Sequence, residues 1–262
     1  MRIIPLIRPI VATRCRDMIR SMEPELTEDM LLGGRVRLLQ PRRGYRVAVD
    51  AVLLAAAIDA AAGARVLDLG AGVGAVGLCL AARIPECSIT GIEVQPALAR
   101  LAERNAALNG KSECVHTIVH DLARPLPSNL GLFDHVATNP PYLAAAVADP
   151  SPDPSKALAT VESSADLARW LAVASAAAKS AGTLLIVQRS DRLEEIVGHL
   201  ARLGWGDVAI KRLPPAARVL VRARRAAVPR RVEVPPLVLH RPEGGYTDAA
   251  EAILRHAAPL AF

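Results

Sequence analysis

The glycine-rich segment from Val66 to Gly77, VLDLGAGVGAVG, joins a predicted strand to a predicted helix. Glycines at such a junction let the backbone approach a bound nucleotide closely. Gly72, Gly74 and Gly77 have the spacing that holds a dinucleotide, and Glu93 lies at a suitable distance along the chain to bind ribose hydroxyls. The segment therefore predicts a nucleotide site, with NAD as one candidate ligand.

The acid at the end of the first core strand, Asp68, favours a different ligand. A dinucleotide would place its pyrophosphate over the glycine loop, where a carboxylate repels it. S-adenosylmethionine carries a sulfonium and an ammonium instead of phosphates, and a carboxylate attracts both. The pattern Asp68-x-Gly70-x-Gly72-x-Gly74 thus favours S-adenosylmethionine over NAD.

These residues resemble the first motif of the class I S-adenosylmethionine-dependent methyltransferases. The resemblance implies an α/β, Rossmann-like fold with a seven-stranded, mostly parallel sheet and helices on both faces. It also implies that Glu93, after the second strand, binds the ribose. Asp121, after the third strand, is then expected to bind the adenine amino group.

Asn139-Pro140-Pro141-Tyr142 follows the fourth predicted strand. Two prolines could simply end that strand and leave Tyr142 on the surface. Behind a donor-binding loop, however, the four residues resemble the motif of methyltransferases that act on adenine N6 or on a protein glutamine amide. In such a motif the Asn139 side chain and the Pro140 carbonyl accept the two hydrogens of a planar nitrogen. Pro141 helps to stiffen the backbone beside the substrate, and Tyr142 stacks on the planar group.

A second resemblance precedes the glycine loop, in Leu39 to Arg46 (LQPRRGYR) and Asp50 to Leu54 (DAVLL). Both segments are similar to a bacterial family that includes the adenine N6-methyltransferase of a valine tRNA, and the likeness covers residues 32–256. It implies that Asp50 and Arg46 lie near the donor pocket, where we expect Asp50 to bind the cofactor and Arg46 the substrate. The predicted substrate is adenine in RNA, specifically tRNA, and a protein glutamine and an NAD-dependent oxidoreduction are the alternatives.

The formal net charge is +6, and Lys211 to Arg231 contains eight basic residues and no acid. Such a stretch is typical of a surface that binds RNA phosphates. We therefore expect Arg222, Arg224 and Arg225 to contact the substrate. The same charges would also protect a solvated edge strand from pairing with another chain.

Composition limits the remaining possibilities. Apolar residues make up 52% of the 262 residues, which allows a substantial core. The four cysteines lack the spacing of metal ligands, so no metal site is predicted, and no apolar stretch has the length of a membrane span. We expect a cytoplasmic protein.

Strands and helices alternate from Arg65 onward, which predicts a parallel sheet covered on both faces. Before that point, Val36 to Gln40 and Tyr45 to Val47 are predicted to pair as a hairpin. Asp248-x-x-Glu251 resembles a capping box for a last helix. The predicted organisation is a flexible tail (1–30), a hairpin and helix (31–63), a Rossmann-like core (64–225) that includes a mobile loop (143–160), and a C-terminal extension (226–262).

Overall fold

The computed structural model describes residues 25–142, 164–225 and 229–262, with Ser155, Ala157, Val161 and Glu162 between them. The strands are β1 Leu26–Leu31, β2 Val36–Pro41, β3 Arg65–Leu69, β4 Ser88–Glu93, β5 Val115–Val119, β6 Phe133–Thr138, β7 Ala178–Arg189, β8 Asp207–Arg212, β9 Arg218–Arg224 and β10 Arg230–Val234. The helices are α1 Val49–Ala57, α2 Ala75–Arg83, α3 Pro96–Leu108, α4 Leu167–Ala177, α5 Leu193–Arg202 and α6 Asp248–His256. The predicted mobile loop (143–160) lies almost wholly outside the described residues.

The main sheet has the strand order β10-β8-β9-β7-β6-β3-β4-β5, in which β9 alone runs antiparallel to its neighbours. This confirms the α/β, mostly parallel architecture. The sheet has eight strands rather than the expected seven, because β10 pairs in parallel with β8 at one edge. That strand lies in the predicted C-terminal extension, where alternating Val residues in RRVEV suit a strand with one face on the protein.

The amino-terminal hairpin differs from the prediction. β2 pairs with β1 rather than with Tyr45–Val47, in a register that runs from Leu26 opposite Pro41 to Leu31 opposite Val36. The tight turn at Leu32–Gly34 makes this pairing local. Residues 25–30, expected in the flexible tail, therefore belong mostly to a strand, whereas residues 1–24 lie outside the described part of the chain.

Two asparagines, one in α3 and one just after its last residue, hold the hairpin against the core. Asn105 is fully buried; its amide nitrogen donates to the carbonyls of Leu39 and Val73, and its oxygen accepts from the Leu39 amide. One turn later, Asn109 exchanges the same pair of bonds with the backbone of Arg37. The free edge of β2 is thus satisfied by helix side chains, and Asn105 also ties it to the glycine loop.

Apolar side chains form a separate core on each face of the sheet. One core joins α1, α2, α3 and α6 to the hairpin, and the other lies under α4 and α5. From β3 the sheet extends in one direction through β4 and β5 and in the other through β6 and β7. The order in which strands are added to the sheet therefore reverses between β3 and β6. Ligands of open α/β sheets bind at the carboxyl ends of the strands at such a point. Among the described helices, none has both the length and the apolarity needed to cross a membrane.

Candidate active site

A cavity of about 360 Å³ opens at the carboxyl ends of β3, β4, β5 and β6. The loops after these strands supply much of its wall, and the segment before α1 and the start of α4 supply most of the rest. The cavity brings together two residues of the glycine loop, three of the predicted acids and the Asn-Pro-Pro-Tyr segment, whereas Asp68 and Gly74 are not among its lining residues. The predicted site residues that line it are Arg46, Asp50, Gly70, Gly72, Glu93, Asp121, Asn139, Pro140, Pro141 and Tyr142.

Two aromatic rings lie directly on the glycine loop. Gly70 and Gly72 both have positive φ values, of +77° and +57°. A Cβ on Gly70 would come within 2.6 Å of the Trp170 ring, and one on Gly72 within 2.7 Å of the Tyr45 hydroxyl. Any side chain at either position would therefore collide with the cavity wall as well as strain the backbone.

Asp68, at the end of β3, is a buried acid next to the glycine loop. Its carboxylate is 2% exposed, and its Oδ2 has no hydrogen-bond partner among the described residues. Burial, together with the neighbouring charge of Glu93, raises the pKa of Asp68 to about 7. A buried carboxylate without a counter-charge is suited to a cationic ligand, so the loop fits the sulfonium and ammonium of S-adenosylmethionine.

Glu93 is oriented by the backbone on both sides. Its two carboxylate oxygens accept from the amides of Gly72 and Gln95, each at 2.8 Å. Burial raises its pKa, and these amide bonds act in the opposite direction. Because Glu93 already uses the Gly72 amide, that amide is not available to a pyrophosphate.

Asp121 lies at the end of β5, where its Oδ1 accepts from the Ala123 amide and the Ser164 hydroxyl. The Ala123 amide and then the Ser164 hydroxyl lower its pKa, although slight burial acts against them. The carboxylate therefore stays charged, and its bond to Ser164 brings the chain that leads into α4 over this end of the cavity.

The Asn-Pro-Pro-Tyr segment presents an acceptor to the cavity. Asn139 Oδ1 is buried and has no hydrogen-bond partner among the described residues. The Pro141 carbonyl accepts from Gln188 Nε2 at 3.1 Å, and the Gln188 side chain is completely buried at the end of β7. Gln188 thus anchors the backbone beside Asn139. The side-chain oxygen of Asn139 is left to accept a hydrogen bond from a donor inside the cavity.

Tyr142 is held by two charged residues. Its hydroxyl donates to Asp50 Oδ2 at 2.7 Å, and the Arg218 guanidinium carbon lies 4.2 Å from the centre of its ring. Burial raises the pKa of Tyr142, and the negative charge of Asp50 raises it further, so the hydroxyl keeps its proton. Asp50, expected to bind the cofactor, lines the cavity and contacts Tyr142 directly.

The basic residues expected at the substrate are mostly elsewhere. β9 runs antiparallel, so its residues recede from the cavity as the chain proceeds, and Arg224 pairs with Thr183 near the opposite end of the sheet. Arg225 donates to Ser175 and Leu203 and lies over Trp205. Arg222 lies over the Phe262 ring, at 4.9 Å. Arg222, Arg224 and Arg225 therefore do not line the cavity, whereas Arg46 lines it with its guanidinium bound to Asp29.

Sequence reasoning missed several residues of the wall and its support: Tyr45, Trp170, Gln188 and Arg218. One signal was available. The chain has only seven Phe, Trp and Tyr residues, and three of them, Tyr45, Tyr142 and Trp170, line this cavity. In a protein so poor in aromatics, an aromatic residue near a motif is itself an indication of a ligand site.

Comparisons with known proteins agree with this geometry. Residues 46–197 match the family model described as the methyltransferase small domain. The chain is 37% identical over 125 residues to a tRNA1(Val) (adenine(37)-N6)-methyltransferase of Yersinia enterocolitica, which is 45% of this chain and 50% of that protein. It is also 37% identical over 168 residues to a release factor glutamine methyltransferase of Deinococcus radiodurans, which is 62% of this chain and 58% of that protein.

Among solved structures, a predicted O-methyltransferase from Agrobacterium tumefaciens superposes with a TM-score of 0.66 and 25% identity, over 81% of this chain and 99% of that one. The matches to the two curated relatives span only about half of their lengths. The family model, by contrast, covers more than half of this chain. The chain therefore belongs to the methyltransferase small domain family, the S-adenosylmethionine-dependent class I methyltransferases.

Proposed function

We propose that this protein transfers a methyl group to a planar nitrogen, and that its substrate is the N6 amino group of an adenine in RNA, specifically tRNA. The observation that carries the proposal is the Oδ1 of Asn139, which is buried and has no hydrogen-bond partner among the described residues. It lies in the same cavity as the glycine loop and Glu93, so an acceptor nitrogen and a methyl donor would meet there. When bound, S-adenosylmethionine supplies an electrophilic methyl group on sulfur.

The residues of the cavity act by positioning. Asn139 Oδ1 accepts a hydrogen from the substrate nitrogen, which favours a pyramidal geometry with a localised lone pair. Gln188 holds the neighbouring Pro141 carbonyl, so the acceptor does not move with the backbone. The ring of Tyr142 offers a stacking surface, worth about 1–3 kcal/mol for a nucleobase. No strong base is required, because the nitrogen loses its proton after the methyl group has been transferred.

A protein glutamine amide is the second candidate. Its nitrogen is also planar and also carries two hydrogens, so the same acceptors suit it. The similarity to the release factor enzyme supports this candidate, because it extends over more of this chain than the similarity to the tRNA enzyme does. RNA remains our preferred substrate because of the net charge of +6 and the likeness to the tRNA enzyme.

The test is a labelled-methyl assay with two substrates, tRNA from cells that lack the gene and a purified release factor. We expect label in tRNA, as N6-methyladenosine, and a loss of about 10²–10³-fold in kcat for Asn139→Ala. Asn129→Ala, at an exposed asparagine in a surface turn, is the matched control and should keep full activity. Label in the release factor alone would favour the glutamine alternative, and label in neither would contradict methyl transfer to nitrogen.

A further inference from the structure

Arg218, the first residue of β9, contacts Tyr142 of the Asn-Pro-Pro-Tyr segment from outside the cavity. Its guanidinium lies over the ring of Tyr142. Tyr142 and Asp50 both line the cavity, whereas Arg218 is not among the lining residues. The arginine therefore covers one face of the ring, so a planar group that stacks on Tyr142 must use the other face.

Asp50 connects the two side chains. Its Oδ2 accepts the Tyr142 hydroxyl at 2.7 Å and lies 3.5 Å from Arg218 Nε. That nitrogen is buried and has no hydrogen bond among the described residues, so its attraction to Asp50 is electrostatic. Residues of α1, of the loop after β6 and of β9 thus meet at one point.

The hydrogen bond to Asp50 cannot orient the tyrosine alone. A bond at the hydroxyl fixes the far end of the side chain, yet the ring can still rotate about the axis through Cβ and the hydroxyl oxygen without breaking it. A flat guanidinium packed on the ring removes that rotation. The plane of Tyr142 is therefore set by Arg218, and its position by Asp50.

We propose that Arg218 is a positioning residue for methyl transfer, which orients the Tyr142 ring on which the acceptor group stacks. This rests on the proposed function, since it concerns the same site. Arg218→Lys keeps the positive charge near Asp50 but loses the planar group. We expect kcat/KM for the acceptor to fall about tenfold, the size of one well-packed cation–π contact.

Two measurements distinguish a positioning role of Arg218 from a general loss of structure in the variant. The affinity for sinefungin, a donor analogue, should stay within about twofold of wild type, because Arg218 does not line the cavity. Arg104→Lys, at an exposed arginine of α3, controls for the substitution itself and should leave kcat/KM unchanged. A loss of sinefungin affinity that parallels the loss of kcat/KM would overturn the proposal.

A double-mutant cycle provides the decisive result. In a Tyr142→Ala background the ring is gone, so Arg218→Lys should cost little further activity. The same tenfold loss in that background would show that Arg218 does not act through Tyr142. The same cycle is repeated with the free energy of unfolding in urea as the measured quantity. If the effects of the two substitutions on that free energy simply add, the proposal is also overturned. If the wild-type chain methylates neither RNA nor protein, the proposed function fails, and the unfolding cycle still decides whether Arg218 and Tyr142 are coupled.

Discussion

Asp68 and Glu93 place two carboxylates in one buried region, and no hydrogen bond satisfies Asp68 Oδ2 within the described residues. Such an arrangement costs folding free energy, since a buried charge loses its hydration. A cationic ligand offsets that cost when it binds. The ligand-free chain is therefore less stable than its apolar core alone would make it, and the deficit lies beside the glycine loop, where we expect the donor to bind.

We predict that Asp68→Asn changes the stability of the chain in a pH-dependent way. The pKa of Asp68 is about 7 in the folded chain, against 3.8 for the free side chain. Between these values the folded chain keeps a proton that the unfolded chain has lost, so stability falls as pH rises. Asp68→Asn removes this titration. We expect it to stabilise the ligand-free chain at about pH 8, with the gain shrinking toward about pH 5, as measured by urea unfolding.

Donor binding should respond with the opposite sign. The sulfonium charge does not titrate, and it is attracted only to the ionised form of Asp68. Wild-type affinity for S-adenosylmethionine, measured by calorimetry, should therefore increase as pH rises through about 7, with release of a proton. Asp68→Asn should bind more weakly and without this dependence. An identical pH profile in the two proteins would show that Asp68 does not face the cation.

At the scale of elements, one buried side chain links α3 to β2. Asn105 makes three hydrogen bonds, two to Leu39 and one to Val73 in the glycine loop. The side chain of Asn105 thus hydrogen-bonds the backbone at the free edge of β2 and also holds the glycine loop. The hairpin, which lies outside the main sheet, is thereby coupled to the site.

We predict that Asn105→Ala lowers the free energy of unfolding by about 2–4 kcal/mol, because buried backbone groups lose their partners. Asn109→Ala, one turn later and partly exposed, should cost about 1 kcal/mol. Chemical denaturation of both variants checks the ranking. Equal losses would mean that the bond to Val73 contributes nothing beyond the hairpin contacts.

Local sequence patterns predicted most elements of the core. The structure largely keeps the predicted alternation of strands and helices from Arg65, the first residue of β3, through α5. The errors occur where a competing local signal decided the structure. A turn at Leu32–Gly34 pairs β1 with β2, and Thr247, whose hydroxyl accepts from the Ala250 amide, caps α6 in place of Asp248.

At the scale of the whole molecule, the candidate site divides into a predictable and an unpredictable part. The glycine loop, the acids at strand ends and Asn-Pro-Pro-Tyr are contiguous motifs, so the sequence displays them. Trp170, Gln188 and Arg218 come from α4, β7 and β9, and only the packed sheet brings them to the motifs. Their roles depend on strand order and direction, which no local pattern encodes.

Strand direction also decides which arginines are available to RNA. Much of the basic stretch is already partnered, as Arg212 pairs with Glu233, Arg231 with Glu194, and Arg225 donates to Ser175. Arg43, by contrast, is exposed in the turn just before Gly44, which lines the cavity. We therefore expect the proposed RNA substrate to pass Arg43, rather than the far end of β9, on its way to Asn139.

We predict that Arg43→Ala weakens tRNA binding and reduces the slope of log affinity against log salt by about 0.7, the loss of one phosphate contact to a single strand. Arg224→Ala is the matched control, since Arg224 is also exposed but pairs with Thr183 near the opposite end of the sheet, and it should leave both quantities unchanged. Fluorescence anisotropy between about 50 and 200 mM salt measures them. If Arg224→Ala has the larger effect, RNA approaches from the amino ends of the strands, and a nucleotide bound there would be separated from Asn139 by the length of the sheet.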